Sequence, residues 1–408
     1  MRTKIISELD ALIQRDGPAI SRWFDHAFRE TPAPVYASVD LRHSGFKISP
    51  VDTNLFPAGF NNLSEAARGR ASLGFKRYLS EHFPQAKRVL ILAENHTRNL
   101  GYLENLRVLQ QLLEQAGAET RIGRTEGSEV LELETMTGAS LQEFPLMKQG
   151  ERLRTPDGFD PEIIVVNNDL TAGIPAVIAG IVQPLIPSPQ AGWHRRRKHR
   201  HFRAYGKVAN AFATQFGFDC WKIWTVFKEV GGLNFKERTG MEQLAEAARE
   251  VLIRIATKYD AYGIEEEPYI YIKADAGTYG MGILTVKNPD DLLALNKDDR
   301  KKMHIVKEGA QVTEVMIQEG VPTIDTVDGE PAEPMIYCVG GQAVGGAFRV
   351  NGARDAFGNL NAAGMRFTGI CDQVERFDEP NRVALDECNF SVYSLIARLA
   401  NLAAAREE

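Results

Sequence analysis

The sequence predicts a chain of two fold types: a parallel-sheet α/β domain over residues 1–200, then an α+β region over residues 201–408. Three observations predict it. A chain of 408 residues exceeds what one core ordinarily fills, so two or three domains are expected. Residues 87–122 run strand, helix, strand, and a second strand-to-helix unit begins at Glu162; such β-α-β units imply parallel strands joined by right-handed crossovers. Beyond residue 204 the strands come in pairs across glycine turns, the pattern of antiparallel pairing beside helices.

Each element follows from local pattern. Residues 1–30 mix charges with Ile and Leu at helical spacing and predict an amphipathic helix or two. Residues 31–63, rich in Pro, Asn, Ser and Gly, predict irregular structure with short strands. Lys87 to Ala93 is a buried-strand pattern; the polar turn Glu94 to Asn99 leads into a helix reaching about Gln115, and Glu119 to Ile122 is the next strand. Glu162 to Val166 forms another, followed by the turn Asn167 to Thr171 and a buried helix within Ile174 to Ile186. Asp219 to Phe227 reads as a strand, Met241 to Tyr262 as a strong helix, 289–303 as another helix and Val312 to Gln318 as a strand. Met335 to Val339 and Gln342 to Arg349 pair across Gly340-Gly341, and a helix over about 390–406 closes the chain.

Composition excludes several classes. Hydrophobic residues at 44% and charged residues at 25% are a soluble globular balance. A formal net charge of -6 argues against a general nucleic-acid binder. Cys220, Cys338, Cys371 and Cys388 lie far apart with no CxxC pair, which argues against structural zinc or a disulfide framework and fits a reducing cytoplasm. Met1 to Arg15 lacks an apolar signal core, and the stretch Ile174 to Ile186 is too short and too interrupted by Pro175, Gln183 and Pro184 to span a membrane. Against the acidic total, His194 to Arg203 is intensely basic: a guide for anionic substrates or, for most of its residues, a solvated helix face.

The chemistry concentrates in the second half. Tyr269 to Val286 reads strand, glycine loop, strand, with Lys273 on the alternate face shared by Tyr269 and Tyr271. Gly277, Gly280 and Gly282, with Thr278 and Tyr279 between them, let backbone N–H groups approach an anion. A Walker A loop would need Lys and Ser or Thr after its last Gly, and a dinucleotide fingerprint would need a helix there. On these residues alone the segment reads equally as a flap over phosphates or as a surface hairpin. The strand ending Gln318-Glu319 leads into a polar turn whose backbone suits an adenine edge, and the hairpin ending Arg349-Val350-Asn351 lies beside Asn359-Leu360-Asn361. Glu387 and Asn389, two apart, offer oxygen donors of the kind a hard cation takes. Asn168 and Asp169 follow a strand's carboxyl end, as site wall or as helix caps. His43 and His96 stand alone; no HExxH or recognisable Ser-His-Asp motif occurs.

Lys273 with its glycine hairpin, then Gln318-Glu319, then Arg349 with Asn359-Leu360-Asn361, resembles the order of elements in ATP-grasp ligases, which hold ATP-Mg between two α+β subdomains. Asp40 to Lys47, Pro50 to Asn62 and Gln183 to Arg203 resemble one family of that group, the proteobacterial ATP-grasp-type glutamate–cysteine ligases, and the likeness spans nearly the whole chain. It implies a substrate-binding domain over 1–200 and an ATP-grasp-like two-subdomain unit over 201–408. The implied reaction joins the glutamate side-chain carboxylate to the cysteine amine through an acyl phosphate, giving γ-glutamylcysteine, with ATP and Mg²⁺ and with small molecules rather than nucleic acid or membrane as partners. The resemblance implies catalysis by Lys273 and Arg349, and nucleotide binding by Lys273, Gly277, Thr278, Tyr279, Gly280, Gly282, Gln318 and Glu319. It gives the glutamate carboxylates to Arg42 and Lys47 and its amine to Asp52, with Asn54, Asn61, Asn62, Asn168 and Asp169 as further substrate contacts. Glu333, Glu387 and Asn389 are the implied metal ligands. Without the resemblance the loop asparagines read as satisfying their own backbone. Another carboxylate–amine ligase, or a nucleotide-binding regulator without turnover, stands as the alternative.

Overall fold

The computed structural model describes residues 3–95, 98–276, 282–304, 311–370 and 389–407. Its class is mixed α/β, built on three sheets of four or more strands. The first is parallel except for one edge strand, Leu131–Glu134, which pairs antiparallel with Ser140–Pro145. Arg88–Ala93 and Ile163–Asn167 are near-continuous apolar runs, as strands covered on both faces must be. They pair with each other, Arg88–Ala93 also pairs with Glu119–Arg124, and Leu185–Ile186 and Ser140–Pro145 extend the sheet at its two sides. Helix Leu100–Gln115 makes a crossover, and the Asn99 side chain caps it by accepting from the Tyr102 N–H.

The second sheet is antiparallel and central, in the order Arg366–Gly369, Gln342–Val350, Glu330–Val339, Tyr36–His43, Ile48–Asn54. It draws strands from both sides of residue 200. One face shares a core with the parallel sheet and helix Glu65–His82 through Tyr36, Phe75, Ile91 and Leu103. The other carries helices Lys4–Glu30, Lys198–Phe216 and Phe390–Ala405. The last of these is apolar almost all round, which suits a helix enclosed by a sheet and two neighbours.

The third sheet runs Phe227–Val230, Val315–Glu319, Ile270–Ala274, Ile283–Val286. Ile270, Ile272 and Ile317 pack on helix Met241–Tyr262, so the alternate residues Tyr271 and Lys273 face the central sheet. Among the described residues no helix is long and apolar enough to cross a membrane.

Three expected elements are corrected. Ile174 to Ile186 is not a helix but a 3₁₀ turn, Ala176–Ile178, and a two-residue strand, Leu185–Ile186. Prolines and Gly180, at φ 67°, break the helix, while Ile174, Val177 and Ile181 still pack on the parallel sheet. Asp219 to Phe227 is a 3₁₀ turn, Cys220–Ile223, because the Asp219 carboxylate accepts from the Trp221 N–H; the strand starts only at Phe227. Residues 289–303 split into the turn Pro289–Ala294 and helix Lys297–His304, since Asn288 and Asn296 each start a turn of their own.

Glu143, on strand Ser140–Pro145, is fully buried with neither carboxylate oxygen hydrogen-bonded. Burial pushes its carboxyl up to about 7, against the pull of Arg124. A raised folded-state value means that stability is greatest below the ordinary carboxyl range and is lost as pH rises towards 7. Glu143→Gln should therefore match the wild type near pH 4 and exceed it by about 3 kcal/mol at pH 8 in urea melts. A difference independent of pH would contradict this reading.

Candidate active site

The central and third sheets face each other across a cleft. Strand Tyr36–His43 alternates its side chains, so Val39 and Leu41 enter the core while Asp40 and Arg42 face the cleft. The register of the neighbouring hairpin sets Glu333 directly opposite Arg349. The third sheet adds Tyr271 and Lys273. A cavity of about 50 Å³ is lined by Asp40, Arg42, Asp52, Lys198, Lys273, Glu333 and Arg349 among others. Beside it lies a cavity of about 390 Å³, whose lining includes Asn54, Asn61, Asn62, Asp169 and Trp193. Asp40, Asp52, Arg349 and Asn361 line both, so the two spaces adjoin.

Buried charges frame the cleft. Arg42 Nε donates to Glu333 Oε2 at 2.9 Å, and Arg349 Nη1 donates to Glu333 Oε1 at 2.6 Å and to Asp40 Oδ2 at 2.8 Å. Arg42 spends further N–H groups on the Tyr271 hydroxyl at 2.8 Å and on the Ala356 carbonyl at 3.1 Å. Burial works against the charge on Glu333, yet Arg42 and Arg349 outweigh it and hold the carboxyl below its ordinary value. Lys198 Nζ donates to both oxygens of Asp52 at 2.9 Å. Burial pushes Asp52 up, but Lys198 and Lys273 together keep it below the ordinary range. Lys273 Nζ donates to the Val51 carbonyl at 2.8 Å, and burial pushes its ammonium down to about 7. Four basic side chains thus meet three carboxylates around the smaller cavity, which favours an anionic guest.

The expected residues divide. The cavities bring together Lys273, Arg349, Arg42, Asp52, Asn54, Asn61, Asn62 and Asp169. Asn168 lines neither; its amide donates to the Ala93 carbonyl and its oxygen accepts from the Leu170 N–H, as a turn-forming Asn does. Lys47 does not reach the cavities either. It is fully buried, donates to Glu319 at 2.5 Å and lies 3.9 Å over the Trp221 ring. The second Glu319 oxygen accepts from the Val226 N–H, and the Gln318 amide donates to Thr225 Oγ1, so both side chains brace a strand instead of facing the cleft. Gly282, at φ 62°, accepts from the Ala274 N–H where the hairpin closes. Gly277, Thr278, Tyr279, Gly280, Glu387 and His96 lie outside the described residues.

A resident metal site is not assembled by the described residues. No group of three His, Cys, Asp or Glu among them gathers as ligands. Both oxygens of Glu333 are taken by guanidiniums, and Asn389, which starts the last helix at φ 57°, lines neither cavity.

The basic block had concealed a site residue. Arg196, Lys198 and His201 are buried, whereas Arg195, Arg200 and Arg203 are exposed, so the block is one element with two faces. Lys198 was distinguishable only by position, at the first turn of its helix. Asp40 was also missed, although it stands two residues before Arg42 and hence on the same strand face.

A family model described as glutamate–cysteine ligase matches residues 10–408. The chain belongs to that family. It is accordingly an ATP-dependent ligase that joins glutamate to cysteine. A solved structure from Methylobacillus flagellatus KT, provisionally assigned as a gamma-glutamylcysteine synthetase, is 42% identical, with a TM-score of 0.90 over 100% of this chain and 97% of that one. D-alanyl-alanine synthetase A from Vibrio cholerae is 11% identical, with a TM-score of 0.34 over 77% of this chain and 81% of its own, and carries no weight here. No curated protein matches the chain.

In this ligase the Lys47–Glu319 pair is a brace, and breaking one side of a buried pair strands the other charge. Lys47→Met should lower the unfolding free energy by about 3 kcal/mol in urea melts, with the KM for glutamate within twofold of wild type. A KM raised tenfold at unchanged stability would return Lys47 to the substrate.

Proposed function

We propose that the ligase phosphorylates the glutamate side-chain carboxylate from ATP in the smaller cavity and completes the peptide bond at its junction with the larger one. The observation that supports this most is the adjoining pair of cavities, the smaller with four basic side chains against three carboxylates and the larger lined mainly by amides, carboxylates and apolar groups, with Arg349 and Asp52 in both. In the first step a carboxylate oxygen attacks the γ-phosphorus and ADP leaves. In the second the cysteine nitrogen attacks the acyl carbon, phosphate departs and the amine gives up a proton. Neither step needs a protein nucleophile; both need charge neutralised in a site fixed beforehand.

Lys273 and Arg349 would face the transferred phosphoryl group, with Arg349 held by Glu333 and Asp40. Asp52 would receive the substrate ammonium, sharing its charge with Lys198, while Asn54, Asn61, Asn62 and Asp169 would hold the amino-acid portions. Mg²⁺ enters with the nucleotide as the Mg-ATP substrate. The third sheet facing the central one is consistent with an ATP-grasp-like layout in which residues 1–200 bear most of the substrate side.

Phosphate release should require glutamate and cysteine together and keep pace with a product of the dipeptide's mass; phosphate released without dipeptide would contradict the coupled two-step reading. Lys273→Met should reduce turnover by about 100-fold or more without unfolding the protein. Because Lys273 is held near 7 when the cleft lacks phosphates, nucleotide binding should raise its value and draw in a proton at pH 8. Calorimetry in buffers of different ionisation enthalpy should show that uptake in the wild type and lose it in Lys273→Met; equal uptake in both would assign the proton elsewhere.

A further inference from the structure

The inward face of the basic block is tied to a residue far along the chain. Arg196 donates from Nε and Nη2 to the two oxygens of Glu407, at 2.9 and 2.6 Å, and His201 Nδ1 lies 2.7 Å from Glu407 Oε1. Arg196 and His201 are buried, at 6% and 2% exposure. The remaining Arg196 nitrogen, Nη1, donates to the Thr53 carbonyl, in the strand that carries Asp52. Lys198, two residues on, holds Asp52 itself, and the Trp193 ring lies under both cations, 5.0 Å from Arg196 and 4.5 Å from Lys198. The same segment reaches the third sheet: the Lys198 N–H donates to the Asp275 carbonyl at 2.9 Å, and the His199 N–H donates to its carboxylate at 2.9 Å. Within six residues the chain thus binds a central-sheet strand, the entry to the glycine hairpin and Glu407.

We propose that Glu407 is a positioning residue for the ligase reaction, holding Arg196 away from Asp52 so that Lys198 alone pairs with that carboxylate. The inference rests on the reading of the cleft given above. A buried guanidinium keeps a counter-charge whenever one is within reach. With the Glu407 carboxylate gone, the Asp52 carboxylate, adjacent to the carbonyl that Arg196 already holds, is the alternative partner. Arg196 then competes with Lys198, and the group that receives the substrate ammonium is turned and screened.

Steady-state kinetics of Glu407→Gln, Asp52→Asn and the double variant test this. Glu407→Gln should raise the KM for glutamate about tenfold and leave the KM for ATP within threefold, a split that general damage to the fold would not produce. In the Asp52→Asn background the same change should add less than twofold, because its effect runs through Asp52. If Asp52→Asn raises the glutamate KM but Glu407→Gln does not, or if the two effects multiply, the positioning role is overturned. If Asp52→Asn itself leaves that KM unmoved, the fault lies in the reading of the cleft, and the inference falls with it. Should Glu407→Gln not fold, Glu407→Asp, which keeps the carboxylate one methylene shorter, carries the same test: a selective rise in the glutamate KM supports the role and an unselective one overturns it.

Discussion

Two guanidiniums bracketing one buried carboxylate hold this cleft in shape. Glu333 accepts from Arg42 on one side and Arg349 on the other, and the three residues belong to three successive strands of the central sheet. Arg42 then extends the network to Tyr271 of the third sheet and to the loop carbonyl of Ala356. Removing any one of these groups would leave a charge uncompensated in a poorly hydrated place, a cost of several kcal/mol (~3–5) for a buried pair. The arrangement therefore fixes the distance between the sheets, and with it the width of the space where reactants meet.

That frame explains why the site can be charged yet rigid. Arg349 has its orientation set by Asp40 and Glu333 before a reactant arrives, so no reorganisation is required as negative charge develops. Lys273 differs in kind. Among the described residues it donates to the carbonyl of Val51, and burial leaves its ammonium weakly held. A fixed arginine beside a lysine whose charge depends on its guest suits a reaction in which phosphate enters, moves and leaves.

Much of this was legible in the sequence, and the failures share a cause. Lys273 and Arg349 could be placed because each sits on a strand whose period-two pattern shows which face is apolar. Lys47 could not, since its partner Glu319 lies 272 residues away and nothing local announces the pair. The side chains of Gln318 and Glu319 brace a neighbouring strand, which the order of elements did not tell, while the adenine contact expected at this turn rests on its backbone groups. The basic block read as one feature because the sequence does not mark where its helix begins; only with Lys198 at the first turn do its two faces separate. Ile174 to Ile186 had the apolar content of a buried helix, and its burial was correct although its backbone was not.

The chemistry of the cleft turns on where the phosphates bind. A crystal structure with Mg²⁺ and a non-hydrolysable ATP analogue would test this most directly. The terminal phosphates should lie between Lys273 Nζ and the Arg349 guanidinium, with the Arg42–Glu333–Arg349 bracket unchanged. Phosphates on the exposed basic face of Arg200 and Arg203, or a bracket opened by the nucleotide, would contradict it.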